Sequence, residues 1–428
     1  MLSTVNFILW NFVVITLIIV TGGYLTVRSK FLQFRKLPAI LLLPVKTLFS
    51  KNKNGVSPFA AMSTALAGTM GTGNIVGVGI AIVLGGPGAV FWMCVSSFLC
   101  MIIKYAEVYL AMCFREKDET GQWRGGPMYY IKNGTRNMYP LACLFCICTI
   151  LATFGTGNAT QSSVIAGSIE STFGIPKIFT GIIIAVLTAF VIFGSSQKLM
   201  SFTSYLLPFM TIFYFSGAIV VLYFNRANIL PAIRLIISDA FRIDSAGAGF
   251  FGFLSAGAFR HGIAKGIFTN EAGMGSAPIA HAAADNTPEN QGLWGAFEVF
   301  LDTTVMCTLT GIVIVSSGLL GKDMQGETLI TDAFRDIFGT GGEWFIAVCI
   351  LLFAFGALVS WSYYGAQCCS FLTRKKSAVS FYKFLYCVAV FVFSNLSVSS
   401  VFELSDLLNA CMTVPNLIFI LLLHKHIQ

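Results

Sequence analysis

The residues of this sequence best able to do chemistry are charged side chains that fall inside long apolar runs. Lys104 and Glu107 stand three apart in K-Y-A-E, Arg260 and His261 are neighbours, and Glu298 and Asp302 stand four apart in F-E-V-F-L-D. Spacings of three and four put side chains on one helix face. A charge at membrane depth costs about 3 kcal/mol or more, and such residues pair with one another or line an ion or substrate path. Lys104 and Glu107 are close enough to pair, and their place near a span end suits a structural pair or a snorkelling lysine. The Glu298 and Asp302 carboxylates offer oxygens to a cation, or to Arg260 or Lys265 as ion-pair partners; both readings stand.

A second chemistry lies in backbone. Leu66 to Gly79 reads L-A-G-T-M-G-T-G-N-I-V-G-V-G, inside an apolar segment. Each interior glycine weakens a helix by about 1 kcal/mol relative to alanine. Gly71, Thr72, Gly73 and Asn74 are therefore expected to unwind, leaving two half-helix ends facing a cavity. The free N–H groups of the second half suit an anion such as a carboxylate. Close glycine-mediated helix packing is the alternative. G-T-G-N recurs in F-G-T-G-N-A-T-Q at 154–161. There Thr156, Asn158 and Gln161 are expected to turn polar groups toward the same cavity, with donors and acceptors suited to a zwitterion.

Composition tells what must position these groups. The chain has 428 residues, 56% hydrophobic and 11% charged, and a mean hydropathy of +0.79. A soluble domain is about a quarter charged, so this is an all-α multi-pass membrane protein. Eleven spans are expected, at about 6–27, 59–84, 87–114, 139–170, 176–194, 201–224, 247–270, 292–320, 342–372, 378–397 and 401–423. The run at 38–49 is short and suits an interfacial or re-entrant helix. The first span has no basic residue before it and no small-residue cleavage site, so it reads as a retained helix. The net charge of +8 is explained by basic cytoplasmic loops. Arg28, Lys30, Arg35, Lys36, Lys46, Lys51 and Lys53 put the first loop inside and the N-terminus outside. Alternation then puts the C-terminus in the cytoplasm and the acidic loop with Asp323, Glu327, Asp332, Asp336 and Glu343 outside.

Without the first span, ten remain, five on each side of a connecting segment at 225–246. An odd number per half forces the halves to be inverted, as in secondary transporters whose site lies between broken helices. The organisation is then 1–58 for the extra helix and basic loop, 59–224 for the first repeat, 225–246 for an extracellular loop and 247–428 for the second repeat. The second half opens, like the first, on a glycine-rich span with Gly247, Gly249, Gly252, Gly257, Gly262 and Gly266. No phosphate-binding loop and no nucleophile–base set can be assembled, so neither a nucleotide-driven pump nor an enzyme is indicated. Most of the twelve cysteines, including Cys143, Cys146 and Cys148, sit in apolar runs and read as small hydrophobes without a cofactor or structural metal.

Several stretches together resemble the alanine/glycine:cation symporters, also called the sodium:alanine symporter family. They are G-T-M-G-T-G-N-I-V-G-V at 68–78, G-G-P-G-A-V-F-W-M at 85–93, K-Y-A-E at 104–107 and G-G-P-M-Y-Y-I at 125–131. G-I-F-T-N-E-A-G-M-G-S-A-P-I-A-H-A-A-A at 266–284 is the most specific, followed by E-V-F-L-D-T at 298–303 and P-N-L-I at 415–418. The resemblance implies a LeuT-type 5+5 inverted repeat with one extra N-terminal helix. It implies uptake of alanine or glycine, with D-alanine a further candidate, together with sodium or protons, at the cytoplasmic membrane.

By that resemblance Gly71, Thr72, Gly73 and Asn74 receive the substrate carboxylate. Phe154, Asn158, Gln161 and Trp361 complete the pocket, Asn158 and Gln161 toward the amino group and Trp361 as its lid. Backbone near Ala67, Gly68 and Met70, with Ser360 or Ser362, holds the cation. Asn270 and Glu271 are read as gate or loop-fixing residues just past the seventh span, toward the cytoplasm. One departure stands out. The family usually carries Ser-Thr in the ninth span, where this chain has Gly356 and Ala357. Proton coupling through Glu298, Asp302 or His261, and a non-transporting amino-acid sensor, are the alternatives this raises.

Overall fold

The computed structural model describes residues 6, 9–47, 56–134, 138–242, 257–321, 325–396 and 398–427. Lys51, Lys53, Asp323 and the glycines at 247, 249 and 252 lie outside the described residues. The chain is almost wholly helical, because long apolar segments satisfy their backbone groups internally only as helices where water is excluded. In order, the main elements are α1 (Ile15–Arg28), α2 (Leu37–Thr47), α3 (Pro58–Thr69), α4 (Val76–Gly85) and α5 (Ala89–Cys113). A hairpin of β1 (Glu116–Lys117) and β2 (Trp123–Arg124) leads into α6 (Pro127–Gly134), α7 (Tyr139–Phe154) and α8 (Thr160–Phe173). Then come α9 (Lys177–Ile192), α10 (Ser196–Phe224), α11 (Arg226–Ala240), α12 (Gly257–Asn270), α13 (Ala277–His281) and α14 (Pro288–Val299). The chain closes with α15 (Thr308–Ser316), α16 (Leu329–Phe338), α17 (Thr340–Thr373), α18 (Lys376–Ser394) and α19 (Val398–Leu422).

Among the described residues, seven helical stretches are long and apolar enough to cross a membrane. The other four expected spans differ for local reasons. The apolar helix Phe12–Arg28 and α9 are shorter, the second is broken at Gly71, and the seventh is described only from Gly257. The segment expected as a connecting loop holds a helix: α11 runs from Arg226 to Ala240 and accommodates Pro231. Asp239, near its end, accepts the Gly88 N–H at 2.8 Å, and Trp92 Nε1 donates to the Ala240 carbonyl at 2.8 Å, so the segment packs on the start of α5.

Apolar surface divides by contact. Val186, Phe190, Tyr205, Ile212 and Phe224 are exposed on α9 and α10, as a lipid-facing helix requires. The centre is α17, whose middle third is buried on every side. Inward of these helices the polar groups expected from sequence are buried, including Lys104, Glu107, Glu298 and Asp302.

Candidate functional site

The first break falls where glycine makes helix least favourable. α3 ends at Thr69, a single tight turn spans Thr72–Asn74, and α4 starts at Val76. Gly71 bridges them in an extended conformation. A Cβ there would lie 3.0 Å from Gln161 Oε1 and 3.4 Å from the Ala357 methyl, so glycine brings backbone against both neighbours. The Thr72 N–H donates to Gln161 Oε1 at 3.3 Å, and Gln161 Nε2 donates to the Thr156 carbonyl at 3.2 Å. Gln161 is thus the α8 side chain that reaches the break.

A second break was not expected at its actual place. α12 ends at Asn270, and Glu271, Gly273 and Gly275 all have positive φ before α13 begins at Ala277. Left-handed residues in alternation cannot continue a right-handed helix. Asn270 is the last residue of α12 and Glu271 the first of the turn just past it, and both are buried.

The K-Y-A-E pair holds that break. Lys104 and Glu107 do not pair with each other. Lys104 Nζ donates to the Glu271 carbonyl at 3.3 Å and faces Glu298 Oε1 at 3.6 Å. Glu107 Oε1 accepts the Gly275 N–H at 3.0 Å and Asn416 Nδ2 at 2.5 Å. Asn416 Nδ2 also donates to the Gly273 carbonyl at 2.8 Å, and the Tyr130 hydroxyl donates to Asn416 Oδ1. The ammonium serves a carbonyl at the end of α12, and the carboxylate serves an amide before α13, as each end demands. Lys104 is fully buried, so it does not snorkel.

Glu298 and Asp302 also part company. Glu298 Oε2 lies 2.9 Å from His281 Nε2, whose Nδ1 lies 2.7 Å from Gln291 Nε2. Asp302 sits where a π-helical stretch, Phe300–Cys307, widens the helix. Its carboxylate accepts Asn74 Nδ2 at 2.8 Å and the Thr303 hydroxyl at 2.9 Å, while Asn270 Nδ2 donates to Thr303 Oγ1 at 3.2 Å. Asn74 from the first break and Asn270 from the second thus meet on neighbouring residues.

Among the remaining expected pocket residues, Trp361 is central. Its Nε1 donates to Glu271 Oε1 at 3.1 Å, and Ser276 Oγ donates to Glu271 Oε2 at 2.5 Å. A Cβ on Gly157 would stand 2.2 Å from the Trp361 Cβ, so α17 packs directly on the widened turn Gly155–Ala159. Gly73 lies against Thr269 of α12. Phe154 and Asn158 face elsewhere. The Phe154 ring packs on Tyr382 and Tyr386, Asn158 Nδ2 donates to the Tyr386 carbonyl at 2.9 Å, and Thr156 donates to Asn409 Oδ1 at 2.9 Å.

The residues expected around a cation lie where α3 packs on α17. A Cβ on Gly356 would sit 3.5 Å from the Ala67 carbonyl, and one on Gly68 would sit 3.2 Å from the Ser360 Cβ. Ser360 Oγ is buried and has no hydrogen-bond partner among the described residues. Ser362 turns back to its own helix, donating to the Val359 carbonyl at 2.7 Å. Met70 is buried at the end of α3. Arg260 and His261 lie on the part of α12 that packs against α4 and α5, away from this centre.

Two cavities flank the first broken helix. One, of about 410 Å³, reaches Val76, Ile80 and Ser163 and carries Glu327, Asp332 and Glu343 on its walls. The other, of about 240 Å³, lies at the α3 end beside Val56, Trp123, Met200, Tyr363 and Gln367. At that end the chain is tied shut. Asp285 N donates to the Val56 carbonyl at 2.9 Å, and Arg115 Nη1 donates to the carbonyls of Ala282 and Ala284 at 3.2 and 2.5 Å. The Arg124 guanidinium bonds Gln367 of α17 and, at 2.7 Å, Asp118.

The profile of the sodium:alanine symporter family matches residues 1–428. The chain belongs to this family. It is 38% identical to the sodium/alanine symporter AgcS of Methanococcus maripaludis, over 99% of this chain and 94% of that protein. It is 35% identical to the probable sodium/glutamine symporter GlnT of Bacillus subtilis, over 98% and 87%. A solved Na+-coupled sialic acid symporter, in a substrate-bound outward-open state, shares the fold with a TM-score of 0.56 and 12% identity, over 87% of this chain and 80% of that one. This symporter-family chain is a membrane transporter and not an enzyme.

Several buried polar residues of this network had no role in the sequence. His281 and Asn416 stand in stretches quoted for the resemblance, and Gln291 directly precedes an expected span. Buried polar groups demand partners, and that demand is the signal they offered.

Proposed function

We propose that this protein takes up a small neutral amino acid, alanine or glycine, by symport with sodium across the cytoplasmic membrane. The observation that carries the reading is the meeting of two helix breaks beside Gln161 and Trp361. The first presents the Thr72 N–H at the start of a half-helix, where a carboxylate is favoured. Gln161 Oε1 now accepts that N–H, and a substrate carboxylate would take its place. Gly71, Gly73 and Gly157 lie where a Cβ would already meet Gln161, Thr269 or Trp361, so a substrate held among them would carry no more than a methyl or a hydrogen as side chain. The Ala67 carbonyl and the Ser360 hydroxyl supply hard oxygen ligands of the kind sodium takes, despite Gly356 and Ala357. Phe154 and Asn158 would join the pocket only by leaving α18.

Symport requires cation and substrate to favour the same state. Sodium between α3 and α17 fixes the first half-helix, and the amino acid draws Gln161 and Trp361 onto it. The topology that goes with this function is eleven spans in two inverted halves after one extra helix, N-terminus outside and C-terminus cytoplasmic. The tied end at Val56 is then the cytoplasmic one, and the acidic cavity opens outward. Proton coupling is the second reading, favoured by the buried His281–Glu298–Lys104 chain.

The test is labelled-alanine uptake into proteoliposomes under an inward sodium gradient, an inward proton gradient or neither. Accumulation with sodium alone is expected, and Gly73→Leu, which fills the space beside Thr269, is expected to abolish it while the protein remains in the membrane. Accumulation with protons alone would transfer the coupling to the buried chain. Binding without accumulation would make the protein a sensor.

A further inference from the structure

The tied cytoplasmic end and the second break are joined by a line of polar contacts, four hydrogen bonds and one ion pair. The Glu271 carbonyl takes Lys104 Nζ at 3.3 Å, and Lys104 faces Glu298 at 3.6 Å. Glu298 Oε2 meets His281 Nε2 at 2.9 Å, and His281 Nδ1 meets Gln291 Nε2 at 2.7 Å. Gln291 Oε1 accepts Asn286 Nδ2 at 2.8 Å. With Gln291 donating to Nδ1, the imidazole proton sits on Nε2 and points at Glu298. Lys104, Glu298, His281 and Gln291 are all buried, and Asn286 is half-buried.

Asn286 lies one residue beyond the backbone tie. Asp285 N holds the Val56 carbonyl at 2.9 Å, Ala284 pairs with Val56 as an isolated bridge, and Arg115 binds the carbonyls of Ala282, Ala284 and Asn286. Val56 precedes α3, the half-helix that ends at the first break. Inward opening would have to part Val56 from Asp285. Glu271, at the other end of the line, is bonded to Trp361, the lid of the proposed pocket.

We propose that His281, Gln291 and Asn286 are positioning residues, which together with the Lys104–Glu298 pair carry the state of the second break to a latch formed by Val56, residues 282–286 and Arg115. A ligand that moves Trp361 moves Glu271, and through Lys104 and His281 changes the hold of Asn286 on the latch. The inference rests on the transport reading above for its ligand. It adds a means by which occupancy of the pocket releases the cytoplasmic side.

The experiment reads the latch directly. Met200 is buried beneath it and lines the inner cavity. In full-length protein carrying Met200→Cys, reconstituted in proteoliposomes, modification of that cysteine by a membrane-impermeant thiol reagent is followed by peptide mass spectrometry. Alanine with sodium is expected to change the rate by about fivefold or more, the lower end of ordinary coupling free energies. Adding Gln291→Met, which cuts the line without removing a charge, is expected to abolish that change while alanine binding stays within about twofold. Retention of the full change in Gln291→Met would overturn the proposal. Should that variant fail to fold, Asn286→Ala, at the surface end of the line, must abolish the change as well, and an intact response there would overturn the proposal equally. Absence of alanine uptake by the parent would strike at the substrate reading alone, and the change produced by sodium without alanine would then test the line.

Discussion

The two helix breaks are alike in position and opposite in construction. At the first, from Met70 to Ile75, the backbone bonds mostly to its own turns, and one side-chain amide of another helix, Gln161, reaches in. At the second, from Glu271 to Ser276, buried side chains bind the backbone at Glu271, Ala272, Gly273 and Gly275. A backbone polar group away from water needs a partner. The second break finds its partners in buried side chains from across the fold, whereas in the proposed function the Thr72 N–H of the first exchanges Gln161 for a ligand. On that proposal, binding and holding are divided between the two.

The largest expected effect of breaking this division lies in the second break. Lys104→Met removes the ammonium from the Glu271 carbonyl and leaves Glu298 facing no charge on that side. Loss of one partner of a buried pair costs about 3–5 kcal/mol. Thermal unfolding in detergent should show it as a large fall in midpoint. Replacing Glu298 in the same protein by Leu should recover a good part, because the orphaned charge is then gone. A midpoint unmoved by Lys104→Met would mean that the clamp does not hold the break.

A matched pair of glycine substitutions sharpens the comparison at smaller cost. In Gly71→Ala the methyl meets the end of Gln161 at 3.0 Å, a flexible side chain that can shift. The fold should survive and the Thr72 N–H should lose its acceptor. We expect KM for alanine to change by about tenfold, near 1.4 kcal/mol, with little change in unfolding. In Gly273→Ala the backbone is left-handed, at φ +87°, and the methyl meets Leu417 at 2.9 Å. That strain costs about 1–2 kcal/mol of stability and should leave KM nearly as it was. The reverse pattern, with Gly71→Ala unstable and Gly273→Ala altering KM, would exchange the roles of the two breaks.

The contrast also explains what could be read from sequence. The first break was legible at Gly71 to Asn74 because its glycines stand inside an apolar run, where each weakens the helix. The second was misplaced because its glycines, Gly273 and Gly275, are short signals in a stretch whose partners come from far away. Glu107 and Asn416 are separated by 309 positions. Spacing of three made Lys104 and Glu107 look like each other's partners, yet the unwound backbone outcompetes a neighbour on the same helix. For the same reason G-T-G-N at 155–158 was read as a second polar lining. Its Asn158 donates to the Tyr386 carbonyl instead, and the Tyr386 hydroxyl donates to the Gly157 carbonyl of the π-helical turn, so the two helices satisfy each other.

The smallest expected effect is a gain, and it concerns the cation beside the first break. Gly356 stands where a hydroxyl would meet the Ala67 carbonyl, since a Cβ there would lie 3.5 Å from that oxygen and 3.5 Å from the Ala67 methyl, which is ordinary contact. Gly356→Ser therefore fits without displacing α3 and adds an oxygen beside the Ala67 carbonyl, one turn of α17 before Ser360. One further neutral ligand of about 1 kcal/mol lowers the half-saturating sodium concentration by about fivefold. Sodium titration of alanine uptake at saturating alanine measures it, with Gly341→Ser, an open position on the same helix, as the control. A fall confined to Gly356→Ser would place the coupling ion between α3 and α17. An unchanged sodium dependence would remove it from there, and with it the assignment of Ala67, Gly68, Met70 and Ser360 as its ligands.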